Sequence, residues 1–376
     1  MEKIEFYRHD IGEAELSSIA RTLKSLFLTL GPRVGEFEEA FGAFLGQKHV
    51  VGVSSCSMGL ALSLKALGIE PGDEVITTPM TFVSTPNAAL FNGAVPIFAD
   101  VDPRTGILDP AAVEAAITPR TKAVIVVHLY GQLADMRRLR AICDRHHLAL
   151  IEDAAHAIEA ENDGVRVAEL GDVTVFSFYA TKTMTSGDGG AIAVRDPAIA
   201  DRLRRLRNHG VSKDASARHG GRYVHWDMVE FGYKAAMTDI EAALLLPQIE
   251  RLWRRREIRQ SLVERYEHAL RGRPGVDLLS RSGRSGHHLL TVLVPLGRRD
   301  AVLDGLCERG VGAAVNYRAV HTLQYYRDRF GYAREAFPVA ADIGDRTISL
   351  PLHTQLNERD VDRVVAALDE TLAAFR

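Results

Sequence analysis

Between residues 50 and 195, short β-branched runs alternate with stretches of helical periodicity. His49-Val50-Val51-Gly52-Val53-Ser54 reads as a strand, and 58–67 as a helix. Pro71-Gly72-Asp73 is a turn, leading into a strand at 74–78. A helix near 83–92 precedes a strand at 95–100, and a strand at 123–128 precedes a helix near 135–146. Further strands are read at 148–153, 173–178 and 191–194. Alternation of this kind predicts a mainly parallel sheet covered by helices on both faces. Such sheets place ligands at the carboxyl ends of their strands. His128, Asp153 and Ser177 stand at or near those ends.

After about residue 275 the pattern changes. A strand at 288–294, helices near 299–309 and 357–374, and short strands between them predict a smaller α+β unit. The expected division is a large α/β domain over 1–245, including an N-terminal segment, and a small C-terminal α+β domain over 246–376. Thr238-Asp239-Ile240-Glu241 has the spacing of a capping box opening a long helix. Pro247 is expected to kink that helix. The arginines at 251, 254, 255, 256 and 259 are read as its solvated face.

The composition narrows the function. A formal net charge of −3 gives no reason to expect nucleic acid or an anionic membrane as partner. Cys56, Cys143 and Cys307 are too few and scattered for a disulfide framework or a zinc site, and fit a reducing cytoplasm. The opening Met1-Glu2-Lys3-Ile4-Glu5-Phe6 shows no signal-peptide pattern, and no apolar run has the length of a membrane span. The expected location is cytoplasmic.

Lys182 lies between two apolar strands, just before the Gly-rich turn Ser186-Gly187-Asp188-Gly189-Gly190. Lysine is rarely buried without a partner or a task. A desolvated amine has a lowered pKa and is a nucleophile toward an aldehyde. The other reading is an ordinary exposed loop lysine. The aldehyde to consider is pyridoxal 5′-phosphate (PLP), which also needs an anion for its pyridine nitrogen, a phosphate cradle, a flat partner for the ring and a partner for the ring oxygen. Asp153 at a strand end can supply the anion, or serve as a helix N-cap. His156 can meet the ring oxygen, or be a satisfied core histidine. Ser54-Ser55-Cys56-Ser57-Met58-Gly59 joins a strand to a helix start, where free amides suit a phosphate. Ser57 and Ser177 can add hydroxyls there, or Ser57 can be a plain cap. Phe82 can stack on the ring, or be core.

Order, spacing and placement taken together make the set specific. The chain resembles the DegT/StrS family, PLP-dependent sugar aminotransferases of the fold type I, aspartate aminotransferase-like class. The resemblance runs over nearly the whole chain. It includes Gly72-Asp73-Glu74-Val75-Ile76-Thr77-Thr78-Pro79, His128-Leu129-Tyr130-Gly131-Gln132, Glu152-Asp153-Ala154-Ala155-His156, Phe176-Ser177-Phe178-Tyr179-Ala180-Thr181-Lys182 and Ser349-Leu350-Pro351-Leu352-His353. The resemblance implies that Lys182 forms the Schiff base and Asp153 pairs with the pyridine nitrogen. It implies that His156 sits near the ring oxygen, that Ser57 and Ser177 hold the phosphate, and that Phe82 stacks. Cys56 and Met58 replace smaller residues at the phosphate turn, where backbone amides would still serve. Many relatives carry an asparagine that reaches the partner subunit's cofactor phosphate from the segment matching 232–237. This chain has none there, and Lys234 is the residue that can stand in.

Two stretches, 117–122 and 316–330, look most like 4-aminotransferases acting on UDP-4-keto pentoses. The resemblance makes His321 a substrate contact, with Tyr317 and Arg318 beside it; the other reading is a polar surface loop. The implied activity is a ping-pong transamination. Glutamate is the amino donor, a nucleotide-linked keto sugar the acceptor, and a homodimer with sites at its interface the active form. The product is an amino sugar for surface polysaccharide, such as lipopolysaccharide, or for secondary metabolites. Alternatives are a 3-aminotransferase, a PLP-dependent sugar dehydratase, or a non-catalytic PLP- or sugar-binding regulator. Dehydratase relatives replace the Schiff-base lysine, commonly by histidine, so Lys182 favours transamination.

Overall fold

The alternating region folds into a seven-stranded sheet in a computed structural model, which describes residues 3–212 and 225–375. Its strands are β1 (His49–Val53), β2 (Glu74–Thr77), β3 (Val95–Phe98), β4 (Thr121–Val127) and β5 (Ala149–Asp153). A short hairpin, β6 (Glu161–Asn162) and β7 (Val165–Arg166), stands apart, and β8 (Val173–Ser177) and β9 (Gly190–Val194) complete the sheet. The spatial order is β1-β9-β8-β5-β4-β2-β3. β9 runs antiparallel to both neighbours, and the remaining pairs are parallel. The reason is local. A parallel crossover needs a long link, usually a helix. The link from β8 to β9 contains no helix, so the chain turns straight back. Lys182 sits in that reversal, at the carboxyl end of β8.

Helices cover both faces, as the alternation predicts. The chain opens with α1 (Glu13–Leu23) and α2 (Pro32–Leu45). Then come α3 (Cys56–Ala66), α4 (Ser84–Phe91), α5 (Pro110–Ala115), α6 (Met136–His146) and α7 (Pro197–Leu206). Strand residues divide by period two. Val124, Val126, Leu150 and Phe176 pack with Phe37 and Phe41 of α2 on one face. Val51, Val53, Ile125, Ile151 and Val175 pack with Leu60 and Leu64 of α3 on the other. Gly59 allows α3 to lie close to β8, since a Cβ there would stand 2.6 Å from Val175 Cγ1.

The capping box forms as the sequence predicts and opens α8 (Asp239–Ile249): Thr238 N–H donates to Glu241 Oε2, and Glu241 N–H to Thr238 Oγ1. Pro247 is held within α8, and a new helix, α9 (Leu252–Leu270), starts after Arg251. The arginines of α9 correct the sequence reading. Arg254 is exposed, but Arg255, Arg256 and Arg259 are buried. Each guanidinium enters the interior with its partners: Arg255 on Asp10, Arg256 on the Ser285 carbonyl, and Arg259 on Glu159 and the Gly286 carbonyl. Sequence periodicity cannot show that the segments around Asp10, Glu159 and Ser285-Gly286 pack over this helix face.

The last part forms an antiparallel sheet of β10 (Asp277–Leu278), β11 (Leu290–Leu293) and β12 (Thr347–Leu350). It packs with α9, α10 (Arg299–Glu308) and α13 (Glu358–Ala373) around Tyr266, Val292, Leu306 and Leu368. The remaining helices are α11 (Gln324–Phe330) and α12 (Pro338–Arg346). Ala340 and Ile343 of α12 join the core of the large sheet. Among the described residues no helix is long and apolar enough to cross a membrane.

Candidate active site

A cavity of about 540 Å³ lies at the carboxyl ends of β4, β5 and β8, within the usual size range for a small-molecule site. Ser57, Phe82, Asp153, His156, Ser177, Lys182 and Tyr317 all line it. Asp153 and Ser177 end β5 and β8, and Ser57, Phe82, His156 and Lys182 follow β1, β2, β5 and β8, which is where a parallel sheet gathers its ligand contacts. Tyr317 arrives from the far end of the chain.

One wall is the start of α3. Ser55 caps the helix by accepting from Met58 N–H at 3.2 Å. Cys56 and Ser57 follow in the first turn, where unpaired amides and the helix dipole favour an anion. The turn is pressed against β9, and Gly190 makes the approach possible. A Cβ on Gly190 would lie 2.7 Å from Cys56 N. Met58 does not reach the cavity: its amide serves the Ser55 cap and its side chain packs against the core beneath.

Lys182 is half-buried, with its amine among protein atoms. Desolvation lowers its pKa from 10.5 to about 8, against the opposing pull of Cys56 and Asp153. Asp153 is buried at the end of β5. Thr85 Oγ1 donates to its Oδ2 at 2.7 Å, and Ala155 N–H to its Oδ1 at 3.2 Å. Burial still raises the Asp153 pKa, the bonds from Thr85 and Ala155 and the charge of Lys182 only partly offsetting it. Two groups are therefore desolvated in one cavity, an amine and a carboxylate, each displaced toward its neutral form.

His156 is neutral, its pKa held well below the usual value by burial, Lys182 and His288. Its Nδ1 accepts the backbone N–H of Tyr130 at 3.2 Å. The proton is thus on Nε2, which lies 3.2 Å from Tyr317 Oη. Tyr130 supplies a second tie, its hydroxyl donating to the Asn316 carbonyl at 2.8 Å. One residue, held at φ 60°, therefore fixes both the histidine and the segment carrying Tyr317.

Three predicted residues lie elsewhere. His321 is fully buried, its Nε2 3.1 Å from the Arg334 carbonyl and its ring against Phe337. It does not line the cavity with Lys182: 320–322 forms a short 3-10 turn, and the side chain is held against Arg334 and Phe337. Arg318 and Lys234 are exposed and also stand outside the cavity of this chain. His128, at a strand end, is a structural tie: its Nε2 donates to Glu152 Oε2 at 2.8 Å, both fully buried. Phe82 lines the cavity but is 56% exposed, at its rim.

Sequence reasoning missed Thr85, Tyr130, Asp188 and His288. Thr85 is four residues after Thr81, and the two hydroxyls are 2.8 Å apart in a chain leading to Asp153. That spacing was a usable signal. The His288 ring lies 4.4 Å from that of His156 at a tilt of 45°, a contact between distant segments with no local signal.

The residues present suit PLP. The cavity has the size, the helix start can receive a phosphate, and the buried Asp153 carboxylate makes no direct ion pair among the described residues. The sequence pattern of the DegT/DnrJ/EryC1/StrS aminotransferase family matches residues 9–369. The spore coat polysaccharide biosynthesis protein SpsC of Bacillus subtilis is 41% identical over 366 residues, 95% of this chain and 94% of SpsC. The aminotransferase TlmJ from Streptoalloteichus hindustanus superposes with a TM-score of 0.91 at 33% identity over 99% of each chain. Spr1654 of Streptococcus pneumoniae, solved in a PLP form, gives 0.92 at 28% identity over 99% of each chain.

Proposed function

This chain belongs to the DegT/DnrJ/EryC1/StrS aminotransferase family, and from that premise we propose that it transfers an amino group from glutamate to a nucleotide-linked keto sugar, a UDP-4-keto sugar foremost. Sugar aminotransferase activity and the use of PLP come with the family. The choice of a UDP-4-keto acceptor rests on the resemblance at 117–122 and 316–330. The observation that carries the chemistry is Lys182 and Asp153 sharing one cavity, both desolvated.

When bound, PLP supplies a carbonyl that receives an amine and a ring that stabilises the charge left by a departing proton. The chain supplies the rest. Lys182 Nζ anchors the cofactor. Once displaced, it accepts the α-proton of the donor and later returns a proton to the sugar carbon, with a pKa close to working pH. The Asp153 carboxylate would hold the pyridine nitrogen protonated. Thr85 and Ala155 fix the direction of that carboxylate. Ser57, Ser177 and the first amides of α3 receive the phosphate. His156 would meet the ring oxygen, and Phe82 would stack on the ring.

We also propose a homodimer closing the cavity. Leu16, Leu23, Leu26 and Leu28 of α1 and its following loop are exposed, as are Phe82 and Tyr179 beside the cavity. Large apolar side chains grouped this way mark an interaction surface. Sedimentation gives the state directly, and a fully active monomer would sink the proposal.

The test of function is a panel of nucleotide-linked 4-keto and 3-keto sugars made in situ, offered with glutamate and read by mass spectrometry. Amination of a UDP-4-keto sugar is expected. Preference for a 3-keto or dTDP-linked acceptor would overturn the assigned acceptor. Failure to form 2-oxoglutarate from glutamate would overturn the assigned donor.

A further inference from the structure

Among the described residues, the cavity around Lys182 has no arginine on its walls. The groups there able to carry positive charge are Lys182, His156 and His288, and burial keeps both histidines neutral. An amino-acid donor brings at least one carboxylate, which needs a cation or several hydrogen-bond donors.

A second cleft of about 40 Å³ meets this cavity at Thr181, Lys182 and His288. Arg8, Arg255, Arg259 and His353 line it, and Asp10 is its one acidic side chain. Asp10 is already engaged by Arg255, with Nε at 2.9 Å from its carboxylate. Arg259 is 2% exposed. Its Nε and Nη2 serve Gly286 and Glu159, leaving Nη1 without a partner among the described residues. His353 is 9% exposed and kept neutral by burial and by Arg8; the Glu5 backbone is the one hydrogen-bonding group near its ring, and no partner meets either ring nitrogen at full hydrogen-bond geometry. A buried polar group left unpaired calls for an explanation. The cleft has room for a group the size of one or two waters, which admits a carboxylate and excludes a sugar ring.

We propose that this cleft, formed by Arg8, Arg259 and His353 behind Lys182, binds a carboxylate of the amino donor while the sugar occupies the larger cavity. The inference rests on an amino acid being the donor. Its geometry follows from the shared wall. A carboxylate in the cleft leaves the donor's amine and α-carbon at Lys182, where the two spaces join. The full cycle exchanges the donor's amino group and α-hydrogen for the sugar's carbonyl oxygen. No outside oxidant or reductant is required. The two substrates then use separate recognition elements on either side of one amine.

The test is calorimetric titration of the holoenzyme with glutarate, together with the kinetics of each substrate. Arg8→Gln alters an exposed residue, so it keeps the test open if His353→Leu fails to fold. Each substitution is expected to weaken glutarate binding and raise the KM for glutamate about tenfold, the scale of one charge-assisted contact. The KM for the keto sugar should stay within about twofold. Native glutarate affinity in folded R8Q and H353L proteins would overturn the proposal. If those variants also aminate keto sugars from glutamate normally, the cleft is wrong and the function stands. If the native protein aminates no keto sugar yet binds glutarate in an Arg8-dependent way, the function is wrong and the cleft stands.

Discussion

His156 and Tyr317 stand 3.2 Å apart, Nε2 to Oη, although 161 positions separate them in the chain. The backbone N–H of Tyr130 occupies Nδ1, so His156 is the donor in this pair. Tyr317→Phe therefore leaves a buried N–H without an acceptor. The expected loss is about 1–3 kcal/mol of stability, read as a lower midpoint in urea for the cofactor-free protein. An unchanged midpoint would show that the bond contributes nothing net.

Lys182 makes a pH prediction with a definite sign. Only the neutral amine attacks an aldehyde. With a pKa of about 8, capture of PLP by the cofactor-free protein should rise with pH and level off above about 8. Capture that keeps rising toward pH 10.5 would contradict a desolvated amine. The same shift bears on stability. The folded pKa lies below the unfolded value, so the charged amine opposes folding below about pH 8 and ceases to do so as pH rises toward 10.5. Lys182→Met should stabilise the cofactor-free protein at pH 7 by up to about 3 kcal/mol, with the gain fading through that window.

Asp153 is buried with its pKa raised, so at neutral pH its ionised form also opposes folding. Asp153→Asn should leave the cofactor-free protein at least as stable as the native one. The same change should lower kcat by about a hundredfold or more, the scale for removing one electrostatic stabiliser. A stable variant with native kcat would remove Asp153 from the proposed chemistry.

Glu152 tests a purely structural reading. Its carboxylate accepts from His128, Thr174 and the amides of Ala168 and Gly171. A Cβ on Gly171 would fall 2.5 Å from Glu152 Oε1. Gly171→Ala is expected to cost about 3 kcal/mol or more, as for other disrupted buried networks. Activity per folded, cofactor-loaded molecule should remain near native. A selective loss of cofactor affinity would mean that this network shapes the site.

His321 separates the sequence reading from the structure. It is fully buried against Arg334 and Phe337, with Nδ1 unpaired. His321→Phe should shift stability by less than about 2 kcal/mol, because one hydrogen bond is exchanged for apolar packing. The KM for the sugar should change less than about twofold. A tenfold rise would restore His321 as a substrate contact.

The strands and helices of the large sheet were legible because each carries its own periodicity and turn residues. Positions at the strand ends followed from the rule that parallel sheets gather ligands there. That rule pointed to His128, Asp153 and Ser177; Ser57, His156 and Lys182 came from the needs of one cofactor and from the family resemblance, and the structure brings all but His128 to one cavity. The burial of Arg255, Arg256 and Arg259 was not legible. Their partners Asp10, Glu159, Ser285 and Gly286 come from segments that a helical pattern does not mention.

By itself, the sequence determined the alternating architecture, the lysine between two strands, and a carboxylate and hydroxyls close to element boundaries. These depend on local periodicity and on the order of elements along the chain. Tertiary structure alone decided that Tyr130 ties His156 to the Tyr317 segment. It also decided that His321 turns inward, and that a cleft lined by Arg8, Arg259 and His353 opens behind Lys182. Contacts of that kind join segments far apart in the chain. Desolvation and close packing select them only once the sheet has formed.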